Sequence, residues 1–162
     1  MKQPGKVYLI GAGPGDPELL TLKALRMLQE ADAVVFDRLV SPEILSLAPS
    51  GALQVPVGKS PDNHPVPQER INEILEELAL EGLTVARLKG GDPLIFGRGS
   101  EEAEHLLSRG IAVEYAPGIT AAQGAARVTG VPLTHRGLAT GVRYVTGGRN
   151  NIKNSIRSSS TA

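Results

Sequence analysis

Six short apolar runs punctuate the chain: 7–10 (VYLI), 33–36 (AVVF), 53–55 (LQV), 84–88 (TVARL), 112–115 (AVEY) and 142–145 (VRYV), each bounded by turn-forming residues. Runs of this length, rich in branched aliphatic and aromatic residues, predict strands. Between them apolar positions recur with helical spacing: Leu19, Leu22, Leu25 and Leu28 within 18–30, Ile71, Ile74, Leu75 and Leu78 within 67–81, and Ala103, Leu106 and Leu107 within 100–109. The boundaries carry stop and start signals. Asp16 before Pro17 reads as a helix cap followed by a preset first turn, Pro67 opens the second helix, and Gly82 and Gly110 stand where left-handed C-terminal caps belong.

Strand and helix alternate throughout, so the pattern predicts an α/β fold: an open, mostly parallel sheet with helices on both faces and right-handed crossovers. From Gly148 onward the pattern stops. Residues 148–162 are polar and without periodicity, and we expect a disordered tail behind a single domain over 1–147.

Composition narrows the chemistry. The chain has 162 residues, enough for one ordinary core, and its 17 Lys+Arg balance 17 Asp+Glu. No global field draws it to nucleic acid or to an anionic membrane, so anion recognition has to come from local clusters. With no cysteine there is no disulfide framework and no thiolate chemistry. No apolar run approaches the ~20 residues of a membrane helix, and a cytoplasmic location is the default expectation. His64, His105 and His135 share no ligand-like spacing, so no metal is assigned, and no nucleophile-elbow motif appears.

Two glycine-proline turns stand out: Gly11-Ala12-Gly13-Pro14-Gly15-Asp16-Pro17 and Gly90-Gly91-Asp92-Pro93. Each follows an expected strand, and in a parallel α/β sheet ligands collect beyond those carboxyl ends. Glycine allows φ > 0 and lets main chain approach a ligand with no side chain between. One such turn serves equally as a tight connection; two at equivalent points favour a ligand site built from backbone. Asp37 and Arg38 should emerge at the same edge after the second strand, and Lys59 after the third, although a capping Asp and solvated cations account for them as well. Arg87, Lys89 and Arg98 flank the second turn. With Arg38, Lys59 and Arg136 they could form a basic rim suited to a polycarboxylate or phosphate ligand, or be scattered surface charge. Small residues over 118–126 mark another strand-to-helix junction, suited to close packing or to a ligand.

Taken together, GAGPGDP (11–17), DRLVS (37–41), VGK (57–59), GGDPLIFGRG (90–99) with Glu101-Glu102, PGITAA (117–122) and GVPLTHRG (130–137) resemble the tetrapyrrole methylases. The likeness covers roughly 6–147, and within the family it is to the branch that methylates uroporphyrinogen III on carbon. The resemblance implies transfer of methyl groups from S-adenosylmethionine to carbons 2 and 7, giving precorrin-2 for sirohaem or cobalamin, with no metal and by a homodimer. It implies that Pro14, Gly90, Gly91, Asp92, Ile95, Thr120 and Ala121 hold the cofactor. Asp37 and Lys59 would be proton acceptor and proton donor, and Arg38 and Arg98 would meet the substrate's carboxylates. Family members carry a second α/β domain after the VTG segment at 145–147, and residues 148–162 do not resemble it. Two other readings stand beside this one: a ligand-binding fragment without catalysis, and a methylase of another branch acting on RNA or protein, which 3% aromatic content and the absence of a basic stripe disfavour.

Overall fold

The computed structural model describes residues 3–58 and 64–146. In chain order the elements are β1 (Lys6–Gly11), a 3₁₀ turn (Pro17–Leu19), α1 (Leu22–Gln29), β2 (Ala33–Phe36), α2 (Pro42–Leu45), β3 (Leu53–Pro56), α3 (Gln68–Leu80), β4 (Thr84–Lys89), α4 (Gly99–Ser108), β5 (Ala112–Ala116) and α5 (Ala121–Thr129). The five strands form one sheet in the order β3-β2-β4-β1-β5, and every neighbouring pair is parallel.

Strand alternation divides the core. Tyr8, Ile10, Val34, Ala86 and Leu88 face α1 and α2, meeting Ala24, Met27, Leu28 and Ile44. Val7, Leu9, Val35 and Val85 face α3 and α4, meeting Ile71, Leu75, Ala79, Ala103 and Leu106. Helices therefore cover both faces, as parallel strands require. The central strands β1 and β4 are buried along nearly their whole length. The connections after β1 and β2 run over one face toward the β3 edge, and those after β3 and β4 run over the other face toward β5. Strands β2 and β4 are thus neighbours whose following loops diverge to opposite faces, the condition under which a crevice opens at the carboxyl ends.

The expected boundaries hold at several points. Asp16 caps the 3₁₀ turn by accepting from the Glu18 amide, and Gly82 and Gly110 take φ of 86° and 74°. Two expectations fail. The helix expected over 18–30 is divided, because Leu20 is extended (ψ 141°) and Thr21 caps α1 afresh, its hydroxyl accepting from the Ala24 amide. The run 142–145 is not a strand. Among the described residues no strand edge pairs with it, and Val142, Tyr144 and Val145 are exposed, so its β-branched residues have neither ladder nor buried face to favour extension into a sheet. The tail over 148–162 lies outside the described residues.

Candidate functional site

All five strands point their carboxyl ends the same way, and glycines let those ends touch in sheet order. At the β3 end, a Cβ on Gly58 would sit 2.8 Å from the Arg38 amide nitrogen at the β2 end. A Cβ on Gly90, after β4, would lie 3.1 Å from the Leu39 Cβ. Gly91 and Gly13 exchange two backbone hydrogen bonds, at 3.1 and 2.9 Å, which tie the loop after β4 to the loop after β1. At the β5 end a Cβ on Gly118 would come within 2.0 Å of the Gly91 carbonyl oxygen and 2.8 Å of the Gly11 Cα. Three strand ends are thus locked together by bare backbone. Asp92 fastens the lock: Oδ2 accepts from the Gly118 amide at 3.0 Å and Oδ1 from the Leu94 amide at 2.9 Å.

Over this ridge the space is open. Gly91 has φ 65°, and a Cβ there would meet only the Thr120 Cα, at 4.0 Å. A side chain at that position would fill the crevice itself. Thr120 is buried and opens α5 through a reciprocal capping box with Gln123, so a helix N-terminus lies beside Gly91. Ala121 begins that helix. Pro14 packs on Gly124, and Arg127 donates to Asp16 Oδ2 at 2.9 Å, which clamps α5 onto the first glycine turn.

The cations fall differently from the expected rim. In β4, Val85, Arg87 and Lys89 share the face under α4, so both cations are interior, with side chains only 2% and 5% exposed. Glu102, fully buried on α4, receives them. Its Oε1 accepts from Arg87 Nε at 3.2 Å, Lys89 Nζ at 2.9 Å and Gln68 Nε2 at 3.2 Å. The far end of Arg87 reaches Asp37, Nη1 donating to Oδ1 at 3.0 Å and to the Leu88 carbonyl at 3.1 Å. Burial pulls Lys89 below the ordinary ammonium range, and the neighbouring Arg87 charge adds to the pull. Arg87 and Lys89 are therefore not rim residues. Of the remaining expected rim, Arg38, Arg98 and Arg136 are exposed, and Lys59 lies outside the described residues, one position beyond Gly58.

Asp37 is part-exposed at the β2 end, and with Arg38 it lines a hollow of about 410 Å³ completed by Phe36, Val40, Pro42, Leu45, Pro56 and Gly58. A second hollow of about 410 Å³ lies between Pro14, Leu19, Ala121, Gly124 and Val128. The glycine doublet lines neither; it forms the backbone ridge beside Leu39, between Gly58 and Gly118 in sheet order. Ile95 is partly exposed in a loop whose next residues include two non-glycine left-handed positions, Phe96 (φ 52°) and Arg98 (φ 56°). Each such residue costs about 1–2 kcal/mol. The Gly99 amide bonding the Pro93 carbonyl at 2.9 Å, and the two-pronged pairing of Arg98 with Glu101, help to hold the loop. Among the described residues no group of His, Asp or Glu could hold a metal ion, and no helix is long and apolar enough to cross a membrane.

A profile of the tetrapyrrole (corrin/porphyrin) methylases matches residues 6–159. The chain belongs to that family. Over 145 residues it is 66% identical to a uroporphyrinogen-III C-methyltransferase of Paracoccus denitrificans, an alignment that covers 90% of this chain and 50% of that protein. Among solved structures, the uroporphyrin-III C-methyltransferase of Thermus thermophilus superposes with a TM-score of 0.74 at 56% identity, covering 84% of this chain and 57% of that one. A complex of the Thermus enzyme with S-adenosyl homocysteine gives 0.69 at 50% identity, over 85% and 53%. The chain spans half or less of the length of the curated relatives it matches. The all-parallel α/β sheet is the fold expected of a tetrapyrrole methylase. The Asp37–Arg87–Glu102–Lys89 chain of contacts was not anticipated, although alternation in β4 and the 99, 102, 103, 106 stripe of α4 mark Arg87, Lys89 and Glu102 as inward-facing.

Proposed function

We propose that this chain carries the cofactor-binding half of an S-adenosylmethionine-dependent methyltransferase that methylates uroporphyrinogen III on carbons 2 and 7, giving precorrin-2 for sirohaem or cobalamin. The observation that carries the reading is the 66% identity to a uroporphyrinogen-III C-methyltransferase over 145 residues, 90% of this chain. The open crevice over Gly91 fits the cofactor, because only an absent Cβ leaves that space. Pro14, Gly90, Gly91, Asp92, Ile95, Thr120 and Ala121 would hold it, Asp92 by setting the two loops rather than by direct contact, since both its oxygens already accept backbone amides. The bound sulfonium supplies the methyl group.

The chain's own residues supply orientation and charge. An electron-rich pyrrole carbon gains a methyl group and the ring becomes cationic; the Asp37 carboxylate, part-exposed in the hollow at the β2 end, would stabilise that charge and take the proton the ring must lose. Lys59 would return a proton. Arg38 and Arg98 would meet acetate and propionate groups, Arg98 after exchanging Glu101 for a substrate carboxylate. Holding both reactants in one crevice contributes most of the remaining rate. The same reading makes the working protein a cytoplasmic homodimer with a small-molecule partner and no nucleic-acid or membrane partner.

Calorimetric titration of the chain with S-adenosylhomocysteine, followed by a spectroscopic assay for precorrin-2, tests this. Micromolar binding and product formation that Asp37→Asn slows at least 100-fold, with binding retained, are expected. Binding without product in the presence of both substrates would favour a fragment that holds ligand only. Methylation by Asp37→Asn at the unsubstituted rate would remove the role given to Asp37.

A further inference from the structure

Two cations and a carboxylate buried under α4 are unfavourable unless each is paired, and removing one partner leaves an uncompensated charge. Their contacts lead to one place. Lys89 and Arg87 converge on Oε1 of Glu102, and the guanidinium of Arg87 then extends to Asp37 Oδ1. The other Glu102 oxygen is buried and has no hydrogen-bond partner among the described residues, so the carboxylate is held through Oε1 alone, by the two cations and Gln68. Counted together, Arg87 and Lys89 balance Asp37 and Glu102.

The balance matters for Asp37. With Glu102 ionised, Arg87, Lys89 and Glu102 together present Asp37 with one net positive charge. Without Glu102 that charge becomes two, and Asp37 is the remaining counter-ion of both interior cations. We propose that Glu102 is a positioning residue for the site: by pairing with Lys89 and Arg87 it fixes the guanidinium that presents Nη1 to Asp37, and it halves the net positive charge that the Asp37 carboxylate faces. The inference rests on the reading of Asp37 as proton acceptor.

The charged surroundings are few. Arg87 and Lys89 come from β4; Glu102, Glu101 and Arg98 from α4 and its entry; Glu69 from α3, beside the neutral Gln68; and Arg38 follows Asp37 in the chain. Arg98 is closed on Glu101, so that pair adds little net charge. Glu102 is thus the buried anion that lowers the net positive charge beside Asp37.

The experiment is a carboxyl-carbon NMR titration of this chain, with the Asp37 signal assigned by its loss in Asp37→Asn and folding checked by circular dichroism. In Glu102→Gln, which keeps shape and an acceptor oxygen, the Asp37 signal titrates lower than in the unsubstituted chain, by on the order of one pH unit. In Lys89→Met it moves the opposite way. The double variant returns close to the unsubstituted midpoint, a rescue that a purely structural role would not produce. If Glu102→Gln fails to fold, Lys89→Met reads the same claim with opposite sign. An Asp37 signal unmoved in a folded single variant, or a shift that the double variant does not reverse, overturns the proposal. Because the titration needs no turnover, its failure is distinguishable from a failure of the methyl-transfer reading.

Discussion

Gly118→Ala separates steric from conformational reasons for glycine in this fold. The residue is not left-handed, so alanine meets no backbone penalty there; what it meets is the Gly91 carbonyl oxygen at 2.0 Å, the Gly11 Cα at 2.8 Å and the Gly11 carbonyl carbon at 2.9 Å. All three are main-chain atoms of other strand ends, and none can swing aside. Relief requires the loop after β5 to withdraw by roughly an ångström, an overpacking strain of about 1–3 kcal/mol. Withdrawal also lengthens the 3.0 Å bond from the Gly118 amide to Asp92, a charge-assisted bond of about 1.5–3 kcal/mol. The two together give about 2.5–6 kcal/mol, a large part of the 5–15 kcal/mol typical of a domain. Gly110→Ala is the matched control: its φ is 74° and nothing lies within 4 Å of an added Cβ, so only the left-handed cost of about 1–2 kcal/mol applies. Urea denaturation followed by circular dichroism reads both. A Gly118→Ala chain no less stable than Gly110→Ala would refute the backbone lock between strand ends.

The crevice itself is probed by Gly91→Ala, which has room for its methyl group but a φ of 65°; stability falls by only about 1–2 kcal/mol, while S-adenosylhomocysteine binding measured by calorimetry weakens more than tenfold. Thr120→Ala removes the acceptor half of the α5 capping box and lowers stability by about 1 kcal/mol in the same urea assay, with Thr120→Ser recovering most of it. Burial, then the bond to Glu30 at 2.6 Å, raises the Tyr8 phenol above its ordinary value of 10.0. The folded state then favours the neutral phenol, so that contribution is present below pH 10 and is lost as pH rises through the raised midpoint. Tyr8→Phe should flatten this alkaline loss of stability and remove a late component of the tyrosinate absorbance titration; an unchanged titration would contradict it.

Much of the scaffold is legible in the chain because parallel strands buried on both faces appear as near-continuous apolar runs. Five of the six runs are strands, and the glycines at 82 and 110 close α3 and α4 where their left-handed geometry is needed. The sixth run, 142–145, has the same composition but no strand beside it among the described residues. Local pattern reports what a segment tolerates; whether an edge is available to it is a non-local fact. The divided first helix has a local cause that periodicity hides, since Leu19, Leu22, Leu25 and Leu28 keep helical spacing while Thr21 competes by capping.

The charged residues show the same limit from the other side. Arg87 and Lys89 look like surface cations beside a glycine loop, yet they alternate with Ala86 and Leu88 in a strand between two others, where no face is open to water. A charge at such a position requires a counter-charge from the covering helix, and the α4 stripe of Gly99, Glu102, Ala103 and Leu106 contains one acidic residue. Strand period and helix period read jointly mark Arg87, Lys89 and Glu102 as inward-facing, but that they meet depends on α4 covering this face of β4. What neither period contains is the outward reach of Arg87 to Asp37, which depends on β2 lying next to β4, a neighbour relation between strands fifty residues apart. The part of the site carried by glycine turns can be read from local motif; the part carried by charge depends on strand order, and so emerges only once the sheet is assembled.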